Sequence, residues 1–250
     1  MPRRFVYRLG HLSAAVLVLI LCASSFAYPY HAEEVHNGGT ISGFVKYGSV
    51  PPKPAPLAIT KDRDVCGTTP EYDPSLLVGN DRGIANAVVT ITDITQGEPL
   101  RPLSSVTFDQ KQCEYIPHVA VFPAGSTVVI LNSDGILHNI HTESVLNPAI
   151  DLAQPGFKKE IRATVKKPEI IKVTCDAHNW MEGWWYVTAN PYYAITDAKG
   201  HYAIHNVPAG TYTLRVWQER LGSESHQVVV KPDSVTAADF TLKPAHQQRS

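Results

Sequence analysis

The stretch Cys175-Asp176-Ala177-His178-Asn179-Trp180-Met181 sets a cysteine, a histidine and a methionine three residues apart, directly after a run of β-forming residues. Upstream, Leu137-His138-Asn139-Ile140-His141 contributes two further histidines on a separate segment. Two imidazoles, a thiolate and a weak axial thioether are the ligand set of mononuclear copper sites, because the soft sulfurs favour Cu(I) and the imidazoles suit both oxidation states. The pattern therefore predicts one copper ion, cycling between Cu(II) and Cu(I).

Each of these side chains has a simpler explanation when it is taken alone. A cysteine after a strand is usually a core residue, a single histidine is usually structural, and a methionine near aromatic rings usually packs. Core packing does not, however, require a histidine three residues after a cysteine and a methionine three residues after that. Zinc gains little from a thioether, and the dinuclear copper centre of oxidases needs a second cysteine in a loop that here has one.

The chain beyond residue 27 is a series of short apolar segments rich in Val, Ile, Thr and Tyr, separated by Gly, Pro and Asp. This pattern is typical of β-sandwiches, so we predict an all-β protein. The Pro-rich residues 48–58 are excluded from any central strand. The clearest strands are predicted at 40–47, 87–91, 170–174, 184–188, 193–196, 202–204, 212–216 and 227–230, with two more between 119 and 131.

Residues 1–27 have the three parts of a cleaved secretory signal peptide: a basic start, an apolar run at 14–22, and the small-x-small site Ser25-Phe26-Ala27. The apolar run is too short to span a membrane, so no integral membrane association is expected after cleavage. The predicted location is the periplasm or the extracellular space. The formal net charge is −1, and cleavage removes three arginines, so the exported chain is mildly acidic, which argues against nucleic acid as a partner.

Three cysteines remain after the signal peptide takes Cys22 with it: Cys66, Cys113 and Cys175. An odd number in an exported protein is explained by a Cys66–Cys113 disulfide, with Cys175 kept as a metal thiolate. Three reduced, buried cysteines are the alternative, which an oxidising compartment disfavours.

Residues 105–188 resemble a cupredoxin, most closely the amicyanin type. The resemblance rests on the strands between 119 and 131, on Asn132 and His138 after them, and on the Cys-x2-His-x2-Met spacing that begins at Cys175. It implies a Greek-key β-sandwich holding one copper ion by four ligands: His138, Cys175, His178 and Met181. It also implies that Asn139 donates its backbone N–H to the cysteine sulfur, and that His178 is the solvent-side ligand and the electron exit.

His141 lies three residues beyond His138, so on a strand the two side chains point to opposite faces. We therefore place His141 beside the site in a supporting role, as we do Asn139, rather than among the ligands. Direct ligation by His141 is the alternative.

The segments on either side, 38–104 and 189–243, resemble a transthyretin-like carboxypeptidase-regulatory module. Its closing signature is visible as Thr196-Asp197-Ala198-Lys199-Gly200-His201-Tyr202 followed by Val207-Pro208-Ala209-Gly210. The resemblance implies a second, Ig-like β-sandwich, with the cupredoxin either nested within it or packed in tandem against it. Residues 244–250 are predicted to be a flexible tail. Such modules carry no chemistry of their own, so this resemblance implies little about function.

These observations favour an exported blue-copper protein that carries single electrons between redox partner proteins. A copper-binding or delivery protein is one alternative, and a β-sandwich interaction module of carbohydrate-binding type with an inert site is another. The sequence has no Gly-x-Ser-x-Gly, His-Glu-x-x-His or phosphate-loop motif, so no enzymatic activity is expected.

Overall fold

The computed structural model describes residues 30–67 and 72–244. The predicted signal peptide, 1–27, lies outside the described residues, as does the predicted tail beyond 244. About half of the described chain is β-strand, and its one helix, α1 at Arg63–Cys66, has four residues. No helix within it is long and apolar enough to cross a membrane. The prediction of an all-β protein is confirmed.

The strands divide into three groups along the chain. The first group is β1 (His31–Ala32), β2 (Gly39–Tyr47), β3 (Val88–Ile91) and β4 (Gln96–Gly97). The middle group is β5 (Val106–Lys111), β6 (Glu114–Ile116), β7 (Val119–Pro123), β8 (Thr127–Asn132), β9 (His138–Glu143), β10 (Asp151–Gln154), β11 (Glu160–Thr164), β12 (Glu169–Thr174) and β13 (Glu182–Thr188). The last group is β14 (Tyr193–Ile195), β15 (His201–Val207), β16 (Gly210–Gln218), β17 (Gly222–Val230), β18 (Val235–Ala237) and β19 (Phe240–Leu242).

The middle group forms a sandwich of two sheets, in the strand orders β10-β9-β12-β13-β7 and β11-β8-β5-β6. Side chains from both sheets share one core, in which Phe108, Ile130, Ile140 and Trp185 are fully buried. Burying side chains of this size contributes roughly 1.5–3 kcal/mol each. β9 and β12 are antiparallel neighbours with His141 opposite Thr174, so the start of β9 and the end of β12 lie at the same end of the sheet.

The first and last groups build a second sandwich together. One sheet has the order β14-β3-β16-β17, and the other has β15-β2-β18 with β19 also pairing with β2. The alternating burial of β2 matches a strand with one face on the core, where Ile41 and Val45 are fully buried. Segments that lie before and after the middle sandwich in sequence thus share one core.

An aromatic cluster and a hydrogen-bonded carboxylate join the two sandwiches. Trp217 of β16 packs against Trp184 and Tyr186 of β13, with ring centroids 5.2 and 5.6 Å apart. Beside it, Trp184 Nε1 donates a hydrogen bond of 2.7 Å to Glu219. The other oxygen of that carboxylate contacts His118 Nε2.

Residues 57–67, which we call the strap, cross the end of the middle sandwich where β9 begins and β12 ends. Ile59 and Cys66 of the strap are buried in the core of that sandwich. The disulfide Cys66–Cys113, with Cα atoms 5.1 Å apart, fastens the strap to the turn between β5 and β6. The predicted disulfide is therefore confirmed, and it holds an irregular segment over the sheet ends.

Candidate metal centre

Three of the predicted ligands converge at the end of the five-stranded sheet. His138 is the first residue of β9, and Cys175 follows the last residue of β12. Cys175 Sγ lies 4.0 Å from His138 Nδ1 and 3.8 Å from His178 Nδ1. One metal ion with bonds of about 2.0 Å to nitrogen and 2.3 Å to sulfur can bridge such separations.

The fourth predicted ligand, Met181, ends the same short loop. Its backbone N–H donates a 2.9 Å hydrogen bond to the carbonyl of His178, which turns the chain back towards β13. The exposed fractions of His138, Cys175, His178 and Met181 are 0, 2, 1 and 2 %. Buried thiolate, thioether and imidazole side chains of this kind fit copper, since thiolate and thioether select Cu(I) and imidazole suits both copper states.

Both candidate imidazoles are anchored by carboxylates on their outer nitrogens. His138 Nε2 lies 2.8 Å from Asp134 Oδ2, and His178 Nε2 lies 2.9 Å from Asp62 Oδ2. A carboxylate accepts the proton of the outer nitrogen, so Nδ1 is the nitrogen that faces the sulfur and that would bind a metal ion once it is deprotonated. Such carboxylates fix the ring orientation and raise the basicity of a metal ligand.

The turn before β9 places Asp134 for this role. Asn132, 1 % exposed, donates from Nδ2 to the carbonyls of Ile136 and Gln154 and accepts from Gly135 N–H. Asp134 in turn accepts hydrogen bonds of 2.6 and 2.9 Å from the backbone N–H groups of Gln112 and Cys113. Although burial acts to raise it, the pKa of Asp134 is lowered by its hydrogen bonds to His138 and to these backbone groups.

The pKa of His138 shifts in the opposite direction. Burial acts to lower it, but the hydrogen bonds and charges of Asp134 and Cys175 outweigh burial and raise the pKa of His138 to about 9. At neutral pH this imidazole therefore carries a second proton, on Nδ1, which a metal ion has to displace.

Asp62 occupies the N-cap position of helix α1 but does not cap the helix with its side chain. It precedes helix α1, where an Asp side chain ordinarily accepts a backbone N–H of the first turn. Here its side chain makes no capping hydrogen bond, and its backbone has φ +51° in the left-handed region. The carboxylate contacts His178 instead. Departures from local sequence preferences such as helix capping are expected at functional sites.

The remaining predicted site residues surround Cys175. Asn139 N–H donates to Cys175 Sγ at 3.3 Å, while its side-chain amide donates to Asp151 and Asp176. His141 points away from the sulfur and lies half exposed, with Nδ1 3.0 Å from Asp176. That contact raises the pKa of His141.

The expectation that His178 is the solvent-side ligand is wrong. His178 is 1 % exposed. Asp62 of the strap covers its outer nitrogen, and the ring of Trp180 packs against the imidazole with the two ring centroids 5.1 Å apart. Asp62, whose side chain is 47 % exposed, stands between the imidazole and solvent. The resemblance could not reveal this, since the strap lies outside the segment that carries it.

Sequence reasoning also missed both carboxylates. Asp134 lies four residues before His138 in a Ser-Asp-Gly turn, a local signal that could have pointed to it. Asp62 is 116 residues from its partner His178 and has no local pattern that would connect them.

A model of the carboxypeptidase regulatory-like domain matches residues 186–243. A search of curated proteins finds no match to this chain.

Three solved structures are similar to part of this chain. The copper-containing nitrite reductase from Thermus scotoductus is 26 % identical over 36 % of this chain, with a TM-score of 0.31, and the match spans 24 % of that reductase chain. Amicyanin from Paracoccus versutus is 17 % identical over 40 % of this chain and 97 % of its own, with a TM-score of 0.31. A purple cupredoxin from Nitrosopumilus maritimus is 27 % identical over 30 % of this chain and 81 % of its own, with a TM-score of 0.26. The chain is thus similar in part to cupredoxins and in part to carboxypeptidase regulatory-like domains.

Proposed function

We propose that this protein carries single electrons between redox proteins in the periplasm or outside the cell, using one copper ion held by His138, Cys175, His178 and Met181. The observation that most supports this function is that two imidazole Nδ1 atoms lie within 4.0 Å of the Cys175 sulfur and that all three side chains are buried. Copper bound there would supply a one-electron Cu(II)/Cu(I) couple.

The rigidity of the donor set suits a carrier. Electron transfer is favoured when the ligands keep their positions in both oxidation states. Each imidazole is held by a carboxylate, and the Cys175 sulfur is held by the N–H of Asn139. Buried and braced in this way, the side chains have little freedom to rearrange.

The same closure argues against catalysis. A catalytic metal keeps an open coordination position for water or substrate. All four candidate ligands are buried, which gives water or substrate little access to such a position, so we propose a carrier rather than an enzyme. Copper delivery is also less well supported, because a hand-off requires a partner to reach the ligands directly.

The strap determines what a redox partner meets on this face of the protein. The imidazole edge of His178 is covered, and the half-exposed Asp62 carboxylate takes its place at the surface. An electron leaving through His178 crosses the His178–Asp62 hydrogen bond before it reaches the partner protein.

An absorption spectrum of the Cu(II)-loaded protein tests the proposal. The wild type is expected to show an intense visible Cys-to-copper band. Cys175→Ser should lose the band and keep the β-type circular dichroism spectrum, because the core of the sandwich does not depend on the thiolate. His141→Gln is the matched control, since it removes a neighbouring imidazole that points away from the sulfur, and it should keep the band.

Other outcomes of these measurements would indicate a different function. Tight Cu(I) binding without the visible band would indicate delivery, and no copper uptake would indicate an interaction module. If Cys175→Ser unfolds, the cysteine is structural.

A further inference from the structure

The disulfide lies directly against the candidate metal centre. The sulfurs of Cys66 and Cys113 and one ring nitrogen of His178 all lie within 4.8 Å of one another. The same limit holds for the donor atoms of His138, Cys175 and His178. His178 is therefore shared by two groups of possible ligands, one built on Cys175 and the other on the disulfide.

All the sulfur atoms concerned are shielded from water. Cys66 and Cys113 are 0 % exposed, and His178 is 1 % exposed. In the oxidised form neither disulfide sulfur is a thiolate, which is the form of cysteine that binds metal ions. The atoms of the second group of ligands are therefore already in place, but the two sulfurs cannot bind a metal ion while the disulfide is intact.

We propose that reduction of Cys66–Cys113 creates a second Cu(I) site, formed by the two thiolates and His178. A dithiol reductant supplies two electrons, the S–S bond breaks, and each sulfur takes up one proton while the reductant becomes a disulfide. Cu(I) then replaces the two thiol protons, which go to solvent. Two thiolates and one imidazole are a set that selects a soft monovalent copper ion.

The shared histidine links the new site to the one built on Cys175. In the oxidised protein His178 is available to the Cys175 group alone. Once the disulfide opens, the two groups compete for one imidazole, so reduction should draw Cu(I) towards Cys66 and Cys113. This inference does not depend on electron transfer, although it shares a ligand with the site of the proposed function.

The test uses the full-length chain carrying Cys175→Ser, which removes the thiolate of the first group and leaves the disulfide. Oxidised protein and protein treated with dithiothreitol, then freed of it, are titrated with Cu(I) in the absence of air against a coloured Cu(I) chelator. The reduced form should bind one Cu(I) at least about tenfold more tightly than the oxidised form, a difference of about 1.4 kcal/mol. X-ray absorption at the copper edge should show two sulfur neighbours.

Two controls separate the dithiol site from other copper binding. Cys175→Ser combined with Cys66→Ala and Cys113→Ala should show no gain on reduction. Cys175→Ser combined with His178→Gln should lose most of the gain. If that first control does not fold, the oxidised and reduced forms of the single variant still decide the question.

Equal Cu(I) affinity in the oxidised and reduced forms overturns the proposal. So does a disulfide that dithiothreitol does not open while circular dichroism shows the protein still folded. The visible band of the oxidised wild type tests the electron carrier separately. A positive dithiol titration without that band would reject only the carrier, and the band without a gain on reduction would reject only the second site.

Discussion

At the scale of single residues, Asp62 and Asp134 brace the two candidate imidazoles from outside. Removing a carboxylate that orients a metal-bound histidine typically costs about 10–100-fold in metal affinity. Asp62→Asn should therefore weaken copper binding by that factor and raise the reduction potential, because a less basic imidazole stabilises Cu(II) less. Competition titration and voltammetry measure the two effects.

Asp64 provides the matched control for that substitution. It is an exposed acid of the same strap, so Asp64→Asn removes an equal charge without touching the imidazole. If both variants changed affinity equally, the effect would be one of net charge rather than of His178 orientation.

Met181 sets the remaining residue-scale expectation. Met181→Gln should keep copper bound and lower the reduction potential, because a harder axial oxygen favours Cu(II) over Cu(I). Voltammetry of the loaded variant is the measurement. An unchanged potential would remove Met181 from the axial position.

Three of the four ligand candidates were predictable from sequence because their spacing is local. Cys175, His178 and Met181 occupy one loop, so their separation along the chain limits their separation in space. Asp62 was not predictable, because its contact with His178 depends on how the strap crosses a sheet end that is distant in sequence. The cover over His178 depends on the same contact.

At the scale of elements, the strap relies on its cross-link. Residues Cys66 and Cys113 are 47 apart in sequence, and closing a loop of that length is worth about 4 kcal/mol in the chain-entropy model. Cys66→Ala with Cys113→Ala should lower the free energy of unfolding by up to that amount in urea titration. A loss below about 1 kcal/mol would mean that Ile59 and Asp62 hold the strap without the bond.

A second element, the loop between β9 and β10, is held by one carboxylate. Glu169 accepts hydrogen bonds from Ser144 Oγ, from Asn147 Nδ2 and from the backbone of Leu146. Burial acts to raise the pKa of Glu169, but the hydrogen bonds from Val145, Ser144 and Asn147 outweigh it and lower the pKa from 4.5 to about 2.

The sign of the pH dependence follows from that lowered pKa. Stability from Glu169 is fully present above pH 4.5 and is lost as the pH falls towards and through 2. Glu169→Gln should cost about 1–3 kcal/mol at pH 7, as expected for hydrogen bonds to a charged group, and much less at pH 2. Urea unfolding at both pH values measures this, and an equal cost at both would exclude the carboxylate charge as the cause.

At the scale of the whole molecule, the second sandwich needs strands from both ends of the chain. β2 pairs with β15, β18 and β19, and β3 pairs with β14 and β16. A chain ending at residue 190 leaves β2 and β3 without these partners, and unpaired apolar edges promote aggregation. Light scattering should show soluble full-length protein and an aggregating truncation.

The complementary fragment tests the middle sandwich as a separate domain. Residues 105–190 contain all four candidate ligands, so the fragment should still bind copper. It lacks the strap, so His178 becomes exposed and Cys113 loses its partner. A fragment that folds but takes up no copper would show that the strap is required for the site.

The sequence showed the kinds of sandwich more readily than how they fit together. Alternating apolar residues predicted β2 and the strands after residue 190, because each strand buries one face. The packing of Trp217 on Trp184 and the insertion of Glu219 beside His118 depend on surfaces of two modules. Neither surface is marked by a regular pattern of apolar residues in the sequence, so these contacts could not be predicted from it.

The strap also has a consequence for the order of assembly. The strap covers His178 and is cross-linked by a disulfide. We therefore expect the rates of copper binding and release to be limited by the rate at which the strap opens. A chain whose disulfide forms before loading should acquire copper slowly, whereas one loaded first should retain the ion long after free copper is withdrawn. The timing of disulfide formation relative to metal supply would then decide what fraction of the chains holds copper.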